Sequence, residues 1–510
     1  MSVSFNGFTG PCYQSDNRYA SVERTVNWFV IPNESKEETK WQNELAPCPG
    51  NAAFGTLPVV APFNQPCRGM LENREVLYGV NGDTVFSMDA AGAYTNIGSV
   101  LTDANPVSMI ANGNGQIFIA SAGYGYVIPK NGGAGSLITI PISDFLGAST
   151  VTFQDGYIIA ITPNSNQFQI SGSASTPIGD ATLWDAGNVA VLAGQADYLN
   201  GLISWREYLY LFGHRRSQVF YNSGALNFPF VSYSSVFIET GISARHSLHS
   251  MTDSLIWIGE DTRGVRACWR MPTFQPMRVS TSAVEQLWQD YPTIADAVAM
   301  SYIWKGHSTY QVTFPTAGKT WCYDLTASQV FERPVWYEKQ FLDATNTLVA
   351  RPELYHAYCY GKHLVGSAGA DGNPGAIYQY DATSFTDCGT DQDGAQVQRP
   401  IVRDRICPHL WQNNKRVIYD RIELELTRGT GLDGSGLGTK PVCMMRWSND
   451  AGNTFGHEYE MAVGQIGQFG LRVFLNRTGY ARDRVFWLRC SDPTYWGILG
   501  AEIDVRGCAA

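Results

Sequence analysis

A short pattern that predicts a β-hairpin recurs seven times along this chain of 510 residues. Each copy has an apolar strand, a polar tight turn and a second apolar or aromatic strand. The copies span residues 76–86, 116–128, 156–170, 208–221, 255–269, 309–324 and 363–381. They begin about 40 to 55 residues apart, the period of a four-stranded propeller blade. The sequence therefore predicts an all-β fold built on a β-propeller.

The number of blades is left open by the sequence. One blade cannot bury both of its faces, so successive blades have to pack side by side in a ring. Seven blades is the direct count, and six blades with one hairpin outside the ring is the alternative. A large β-sandwich is a further alternative for the same strands. We expect the propeller to occupy residues 67–394.

Charge divides the chain at the end of the repeats. Residues 395–510 contain 15 Lys and Arg and 12 Asp and Glu, a net charge of +3, so residues 1–394 carry −13 of the total −10. This asymmetry indicates a separate domain, and alternating apolar residues within 418–426 and 471–475 indicate that it is β. We predict a β-sandwich-like domain over residues 395–510. The acidic total argues against a protein that coats DNA, since phosphate binding requires clustered Lys and Arg.

Residues 1–66 lie before the first repeat and are expected to form an extended arm that Trp28 and Phe29 hold against another domain. We expect no signal peptide, because the start lacks a basic and an apolar region. No run of 18 apolar residues exists, so no membrane insertion is expected. The 11 cysteines are scattered and odd in number, which predicts reduced thiols in the cores of a protein assembled in the cytoplasm.

One motif near the C-terminus has the pattern of an Asp box, a hairpin turn held by an aspartate carboxylate. Its residues are Ser448, Asp450, Gly452, Thr454 and Phe455. The carboxylate accepts hydrogen bonds from turn amides, the glycine adopts positive φ, and the aromatic ring anchors the turn on the core. We predict a structural role, because the motif occurs in enzymes and non-enzymes alike.

No residue set indicates catalysis, a cofactor or a metal. The histidine pairs lack a carboxylate or cysteine at ligand spacing. A cluster at Asp387, Asp391 and Asp393 lacks the closing glutamate of a calcium loop and is predicted to be a solvated loop. Five arginines are candidates for an interface with a neighbouring subunit, an acidic partner or DNA: Arg215, Arg216, Arg477, Arg482 and Arg484.

Ordered motifs at both ends of the chain resemble one known family. Near the start they are Arg24, Asn27, Trp28, Pro49, Gly50, Arg68 and Gly69. Near the end they are residues 446–452, 464–470 and 477–486. This order resembles the packaged-DNA stabilisation proteins, which form the tail hub or nozzle of short-tailed phages. The chain departs from the family pattern at Val30 and Ile31, where Tyr-Pro-Glu is usual, and at Asn51, where Leu is usual.

The resemblance implies a structural protein and no enzyme. It implies a ring of six copies below the portal and its adaptor, in a virion tail assembled in the host cytoplasm. The ring would retain packaged double-stranded DNA and pass it during ejection, and would contact a tail needle or plug and a tailspike or fibre. Two other classes stay open: a propeller glycoside hydrolase with an axial carboxylate pocket, and a glycan-binding propeller with aromatic platforms.

Overall fold

The structure is a computed structural model that describes residues 2–34, 41–58, 60–172, 179–192, 197–225, 228–260, 263–413 and 415–507. The first strands are β1 (Ser2–Ser4), β2 (Tyr13–Gln14), β3 (Val22–Val26), β4 (Trp28–Pro32), β5 (Asn43–Pro47) and β6 (Gly50–Ala53). They do not form a unit of their own, because each pairs with strands that come much later in the chain.

Four antiparallel sheets follow in direct succession. The first contains β7 (Cys67–Asn73), β8 (Val76–Asn81), β9 (Thr84–Met88) and β10 (Tyr94–Ser99). The second contains β11 (Ser108–Ala111), β12 (Ile117–Ser121), β13 (Tyr124–Ile128) and β14 (Ile138–Thr139). The third contains β15 (Val151–Gln154), β16 (Tyr157–Ile161), β17 (Gln167–Ser171) and β18 (Trp184–Val191). The fourth contains β19 (Leu199–Trp205), β20 (Tyr208–Gly213), β21 (Ser217–Asn222) and β22 (Phe230–Ile238).

Three more four-stranded sets continue the series. A short 3-10 helix, η1 (Arg245–Ser247), precedes β23 (His249–Ser250), β24 (Leu255–Glu260), β25 (Arg266–Met271) and β26 (Met277–Arg278). After α1 (Ser282–Gln289) come β27 (Val298–Trp304), β28 (His307–Phe314), β29 (Lys319–Asp324), α2 (Leu325–Val330) and β30 (Trp336–Lys339). A small hairpin, β31 (Phe341–Leu342) and β32 (Leu348–Val349), precedes β33 (Glu353–Cys359), β34 (Lys362–Ser367) and β35 (Ile377–Asp381).

These sets close into a β-propeller, as the hairpin repeats predict. Each predicted hairpin forms the second and third strands of its set, and the first strands contact one another around the ring, with η1 between β19 and β27. The ring closes where β6 pairs with β35 and β33 meets β7. Six of the sets are separate four-stranded sheets, and the set β27 to β30 is part of a larger sheet. The ring therefore has six blades if only the separate sheets are counted, and seven if the set β27 to β30 is included.

The tight turns explain why the hairpin pattern was readable. In the first blade, Asn81 pairs with Thr84, and Gly82 between them has φ 56°. A Cβ atom at Gly82 would lie 1.7 Å from Oε1 of Gln65, so only glycine fits this turn. The alternating apolar residues of each hairpin then face the neighbouring blades. Ile117 and Ile119 of the second blade, for example, lie in one core with Val80 and Val85 of the first.

After the last blade, β36 (Thr386–Thr390) and β37 (Gln396–Pro400) form a separate two-stranded sheet. The strands that follow build a β-sandwich, and they are β38 (Arg403–Ile406), β39 (Leu410–Trp411), β40 (Val417–Leu426), β41 (Val442–Ser448), β42 (Tyr459–Ala462), β43 (Val473–Asn476), β44 (Tyr480–Ala481), β45 (Asp483–Cys490) and β46 (Ile498–Gly507). One layer has the order β4-β5-β46-β40-β43, with β1 on β46 and β44 on β40. The other contains β38, β45, β41 and β42, and the two layers share a core with Trp28, Ile422 and Phe486.

The predicted all-β class, the propeller and the C-terminal sandwich are thus confirmed. The segment expected to be an N-terminal arm is distributed over three sheets: β1, β4 and β5 join the sandwich, β6 completes the last blade, and β3 lies between the two domains. None of the helices in the described residues is long and apolar enough to cross a membrane.

Candidate functional site

The propeller and the sandwich are joined by one continuous sheet of eleven strands. Its path runs β27-β28-β29-β30-β3-β38-β45-β41-β42, with β2 on β3 and β39 on β45. β3 pairs with β30 of the propeller in parallel at Val26 and Glu338, and with β38 of the sandwich in antiparallel register at Arg24 to Val26. The N-terminal strand therefore links the two domains by backbone hydrogen bonds on both sides.

Two motif residues of this strand and its end fix the link. Arg24 donates from Nε to Oε1 of Glu338 at 2.6 Å and from Nη2 to Oε2 at 2.8 Å. Burial opposes the charge of Arg24, but the carboxylate of Glu338 outweighs burial and raises the arginine's pKa further above its ordinary value. Asn27, at φ 56°, donates from Nδ2 to the carbonyl oxygens of Gln340 and Val402 at 3.0 and 2.7 Å, and accepts from the Gln340 amide at 2.9 Å.

The other motif residues at the start also hold distant segments together. Trp28 is fully buried and its indole donates to the carbonyl of Trp496 at 2.9 Å. Pro49 is buried just before β6. A Cβ atom at Gly50, the first residue of β6, would lie 2.3 Å from the carbonyl oxygen of Thr386 on β36. Only a glycine therefore fits where these two strands approach each other.

Arg68 and Gly69 perform the same task between the first two blades. Arg68 donates to the carbonyl oxygens of Gly82 and Asn105 at 2.8 and 2.6 Å and pairs with Asp103 at 2.9 Å. A Cβ atom at Gly69 would lie 2.5 Å from Cγ2 of Val107. The motif residues near the start therefore have structural contacts in this fold.

A fully buried ionic cluster lies where the ring closes, and sequence reasoning did not find it. Arg351 donates to both oxygens of Glu353 at 3.0 and 2.6 Å and to both oxygens of Asp387. Asn51 of β6 donates to Glu353 at 2.6 Å. The prediction that Asp387 lies in a solvated loop is wrong, because its side chain is only 2% exposed and paired with Arg351. Asp391 and Asp393 do lie in an exposed turn, where Asp391 accepts from the Asp393 amide.

The Asp-box residues form a turn between β41 and β42. Asp450 accepts from the Thr454 amide at 2.8 Å, from the Thr454 hydroxyl at 2.6 Å and from the Ser448 hydroxyl at 2.5 Å. Gly452 has φ 79°, and Phe455 packs edge-on against Trp487 with ring centroids 5.0 Å apart. Burial opposes the charge, but the hydrogen bonds from Ser448 and Thr454 together outweigh it and lower the pKa of Asp450 to about 2.

The five arginines proposed from sequence as interface residues lie in three settings. Arg215 and Arg216 are exposed in the turn between β20 and β21, where both backbone amides donate to Asp197. Arg477 and Arg482 are exposed on the sandwich. Arg484 is fully buried, so the prediction that its side chain faces a partner or DNA directly is wrong. Its position on β45 points it inward beside Tyr419.

A cavity of about 600 Å³ lies at one end of the propeller axis, where turns and connections of successive blades converge. Its polar lining includes Asp103, Asn105, Asn164, Asn200 and Arg245. Asp103 is the only carboxylate among these lining residues and is paired with Arg68. Glycoside hydrolysis requires two carboxyl groups and sugar platforms require large aromatic rings, whereas the lining has one carboxyl group, the imidazoles of His214 and His246, and no Trp, Tyr or Phe.

Metal-ligand groups are not clustered, and cysteine thiols are not exposed, in the described part of the chain. No three His, Cys, Asp or Glu side chains there are grouped as metal ligands. Ten cysteines in the described ranges are unpaired and buried, and burial raises the pKa of Cys67, for example, to about 12.

Two family models match consecutive parts of the chain. Residues 54–382 match the model described as the β-propeller of bacteriophage P22 Gp10, and residues 403–506 match the model described as its β-sandwich. The chain belongs to the bacteriophage P22 Gp10 family. This membership confirms the resemblance to packaged-DNA stabilisation proteins and makes the chain a structural phage protein associated with the virion.

No curated protein matches this Gp10-family chain, and several solved structures are similar to it at low sequence identity. A streptogramin B lyase has 12% identity and a TM-score of 0.38, covering 68% of this chain and 99% of its own. A virginiamycin B lyase from Staphylococcus aureus has 11% identity and a TM-score of 0.39, covering 69% and 98%. YCF48 bound to D1 peptide has 9% identity and a TM-score of 0.32, covering 70% and 96%. These similarities carry no argument about function.

Proposed function

We propose that copies of this chain form the tail hub, or nozzle, of a short-tailed phage. Six copies would form a ring below the portal and its adaptor, retain the packaged double-stranded DNA and provide the channel for its ejection. A tail needle or plug would close the exit, and a tailspike or fibre would attach to the ring. The ring would assemble in the host cytoplasm and remain in the virion tail. The family membership of the chain supports this role.

The observation that carries the proposal is the continuous sheet between the propeller and the sandwich. A hub has to keep a fixed shape while neighbouring parts pull on it. Here β3 is hydrogen-bonded to both domains, and the buried pair Arg24–Glu338 lies across the same junction. On the sandwich side Arg489 donates to both oxygens of Asp404 at 2.7 and 2.9 Å. Force applied to one domain therefore passes to the other without a flexible linker between them.

A mechanical role also agrees with the chemistry of the axial cavity. Its one carboxylate is paired with Arg68, and its lining residues include no Trp, Tyr or Phe ring for stacking a sugar. A propeller glycoside hydrolase or a glycan-binding tail protein is the alternative reading, and it finds no support in this cavity. We therefore propose that the protein is not an enzyme.

Electron microscopy of the purified protein, with and without adaptor or virion tails, tests the proposal. We expect isolated chains to be monomeric or weakly associated, and to form a sixfold ring around a channel of DNA width when adaptor is present. A chain that never binds adaptor or tails, and that instead cleaves or binds glycans, contradicts the hub. The variant Arg24→Met serves as a probe of the junction: it should weaken ring formation.

A further inference from the structure

One end of the sandwich brings arginines together without carboxylate partners. β40 and β44 pair at Val417 with Ala481, and Arg416 and Arg482 follow directly beyond this last pair and line one cavity. Both side chains are exposed, and neither takes part in an ion pair within the described residues. An open cavity of about 580 Å³ lies between them, and we call it the arginine pocket.

A third guanidinium, that of Arg484, forms the floor of the arginine pocket. Its Nε donates to Oδ1 of Asn449 at 2.9 Å, and its Nη1 donates to the Thr478 carbonyl at 2.8 Å. Its Nη2 is buried, has no hydrogen-bond partner and lies beneath Gly479, where an added Cβ atom would be 3.9 Å away. Burial lowers the pKa of Arg484 to about 10, and the group remains charged at neutral pH. A buried cation with no carboxylate contact creates an unbalanced positive field in the pocket above it.

Six other arginines of the sandwich are paired with carboxylates, namely Arg405, Arg421, Arg428, Arg472, Arg489 and Arg506. Arg403 on β38 is also buried and has Nε and Nη2 atoms without a hydrogen-bond partner in the described residues. Exposed Lys415 and Arg477 directly adjoin the lining residues Arg416 and Thr478 in sequence, and they also have no ion pair in the described ranges. The aromatic ring of Tyr480, 59% exposed, lies 5.4 Å from the guanidinium of Arg416 and forms one wall.

We propose that the arginine pocket binds a phosphate group of the double-stranded DNA backbone. The exposed guanidinium groups of Arg416 and Arg482 can donate to the tetrahedral oxygens of a phosphate, and the buried charge of Arg484 adds to the field that attracts it. The cations outside the pocket suit a polyanion with repeated phosphates more than a single small anion. Contacts of this kind position a duplex without reading its sequence. The proposal concerns the isolated chain and stands or falls independently of the tail-hub ring.

The test is fluorescence anisotropy of the full chain with a labelled 20-base-pair duplex over a series of salt concentrations. The variant Arg416→Ala/Arg482→Ala removes the two rim cations, and the control Arg215→Ala/Arg216→Ala makes the same change of charge at an exposed propeller turn. We expect the rim variant to bind at least tenfold more weakly. Its plot of log affinity against log salt should flatten by about 0.9 for each lost phosphate contact. The control should bind like the unchanged protein.

Competition separates the sources of the anion. Inorganic phosphate should displace the duplex more effectively than acetate at equal ionic strength, and phosphatidylglycerol vesicles should not bind in its place. Equal duplex binding by the rim variant and the control overturns the proposal. Competition by acetate as strong as that by phosphate also overturns the proposal, because it would indicate a site for a carboxylate of a protein partner. Binding of vesicles without binding of duplex overturns it as well. Circular dichroism verifies that both double variants are folded.

Discussion

Replacing Arg351 by methionine tests whether the buried ionic cluster holds the ring closed. The arginine is 1% exposed and gives four charge-assisted contacts to Glu353 and Asp387, whose side chains are at most 2% exposed. Methionine fills similar space but leaves two carboxylates buried side by side without their cation. Removing one partner of a buried pair costs about 3–5 kcal/mol of the free energy of unfolding. We expect a loss of that size, measured by guanidinium denaturation at pH 7.5.

The pH dependence of the same variant gives a sharper test. In the unchanged protein burial opposes the charge of Glu353, but Arg351 holds its pKa below the ordinary value. Without the arginine, burial and mutual repulsion raise both folded carboxyl pKa values above those of the unfolded chain. A raised folded pKa stabilises the fold at low pH and ceases to do so as pH rises. The deficit of Arg351→Met should therefore be smaller at pH 5 than at pH 8.

Two controls make the result interpretable. Arg216→Met changes an exposed arginine with no ion pair in the described residues and should alter the free energy of unfolding by less than about 0.5 kcal/mol. The triple variant Arg351→Met/Glu353→Gln/Asp387→Asn removes the stranded charges and should recover part of the loss. The reasoning is refuted if Arg351→Met behaves like the exposed control, or if its deficit is the same at pH 5 and pH 8.

Three further predictions concern other parts of the chain. Arg24→Met should cost about 3 kcal/mol of the free energy of unfolding, since Glu338 stays buried without its cation, and should speed hydrogen exchange in β3. Adding Glu338→Leu should restore most of this loss. Equal hydrogen exchange in the single and the double variant would argue against the junction role. Burial, followed by the neighbouring His363, lowers the pKa of His356 to about 3, so the free energy of unfolding should fall as pH drops from 6.5 towards 3. His356→Gln should reduce that fall in acid denaturation curves. A curve unchanged by the substitution would contradict this prediction. The cysteines of the described ranges, Cys67 among them, should resist alkylation in the native protein and react in guanidinium, as mapped by mass spectrometry; rapid native labelling would show that the cores open.

The hairpin repeats were readable because each is a local event. A turn such as Asn81-Gly82 and the alternation of its flanking strands lie within about ten residues of one another, so the sequence alone predicts the second and third strands of every blade. The outer strands were less visible. Short strands such as β14 and β26 have two residues each and carry no periodicity. The arm was expected to pack against another domain, but nothing in its local pattern showed that it would supply a strand to three different sheets.

The candidate sites divide in the same way. The Asp-box turn involves residues that are at most seven positions apart, so its hydrogen bonds follow from the motif itself. Arg484 was misjudged because an arginine on a β-strand has the same sequence signature whether it faces solvent or the core. Asp387 was misjudged because its partner, Arg351, is 36 positions away and its neighbour Asn51 is 336 away.

The sequence by itself determined the β class and the repeated hairpins, because short-range turn chemistry and alternation encode them directly. It also determined the charge asymmetry and the family resemblance, because both are read from the residues without regard to how the chain folds. Only the tertiary structure decided how the ring closes through β6, how β3 unites the propeller with the sandwich, and which charged groups are buried. Those features depend on pairing between strands hundreds of residues apart. Loop closure over such distances leaves no local pattern, and burial of a charge is set by what packs on it from elsewhere in the chain.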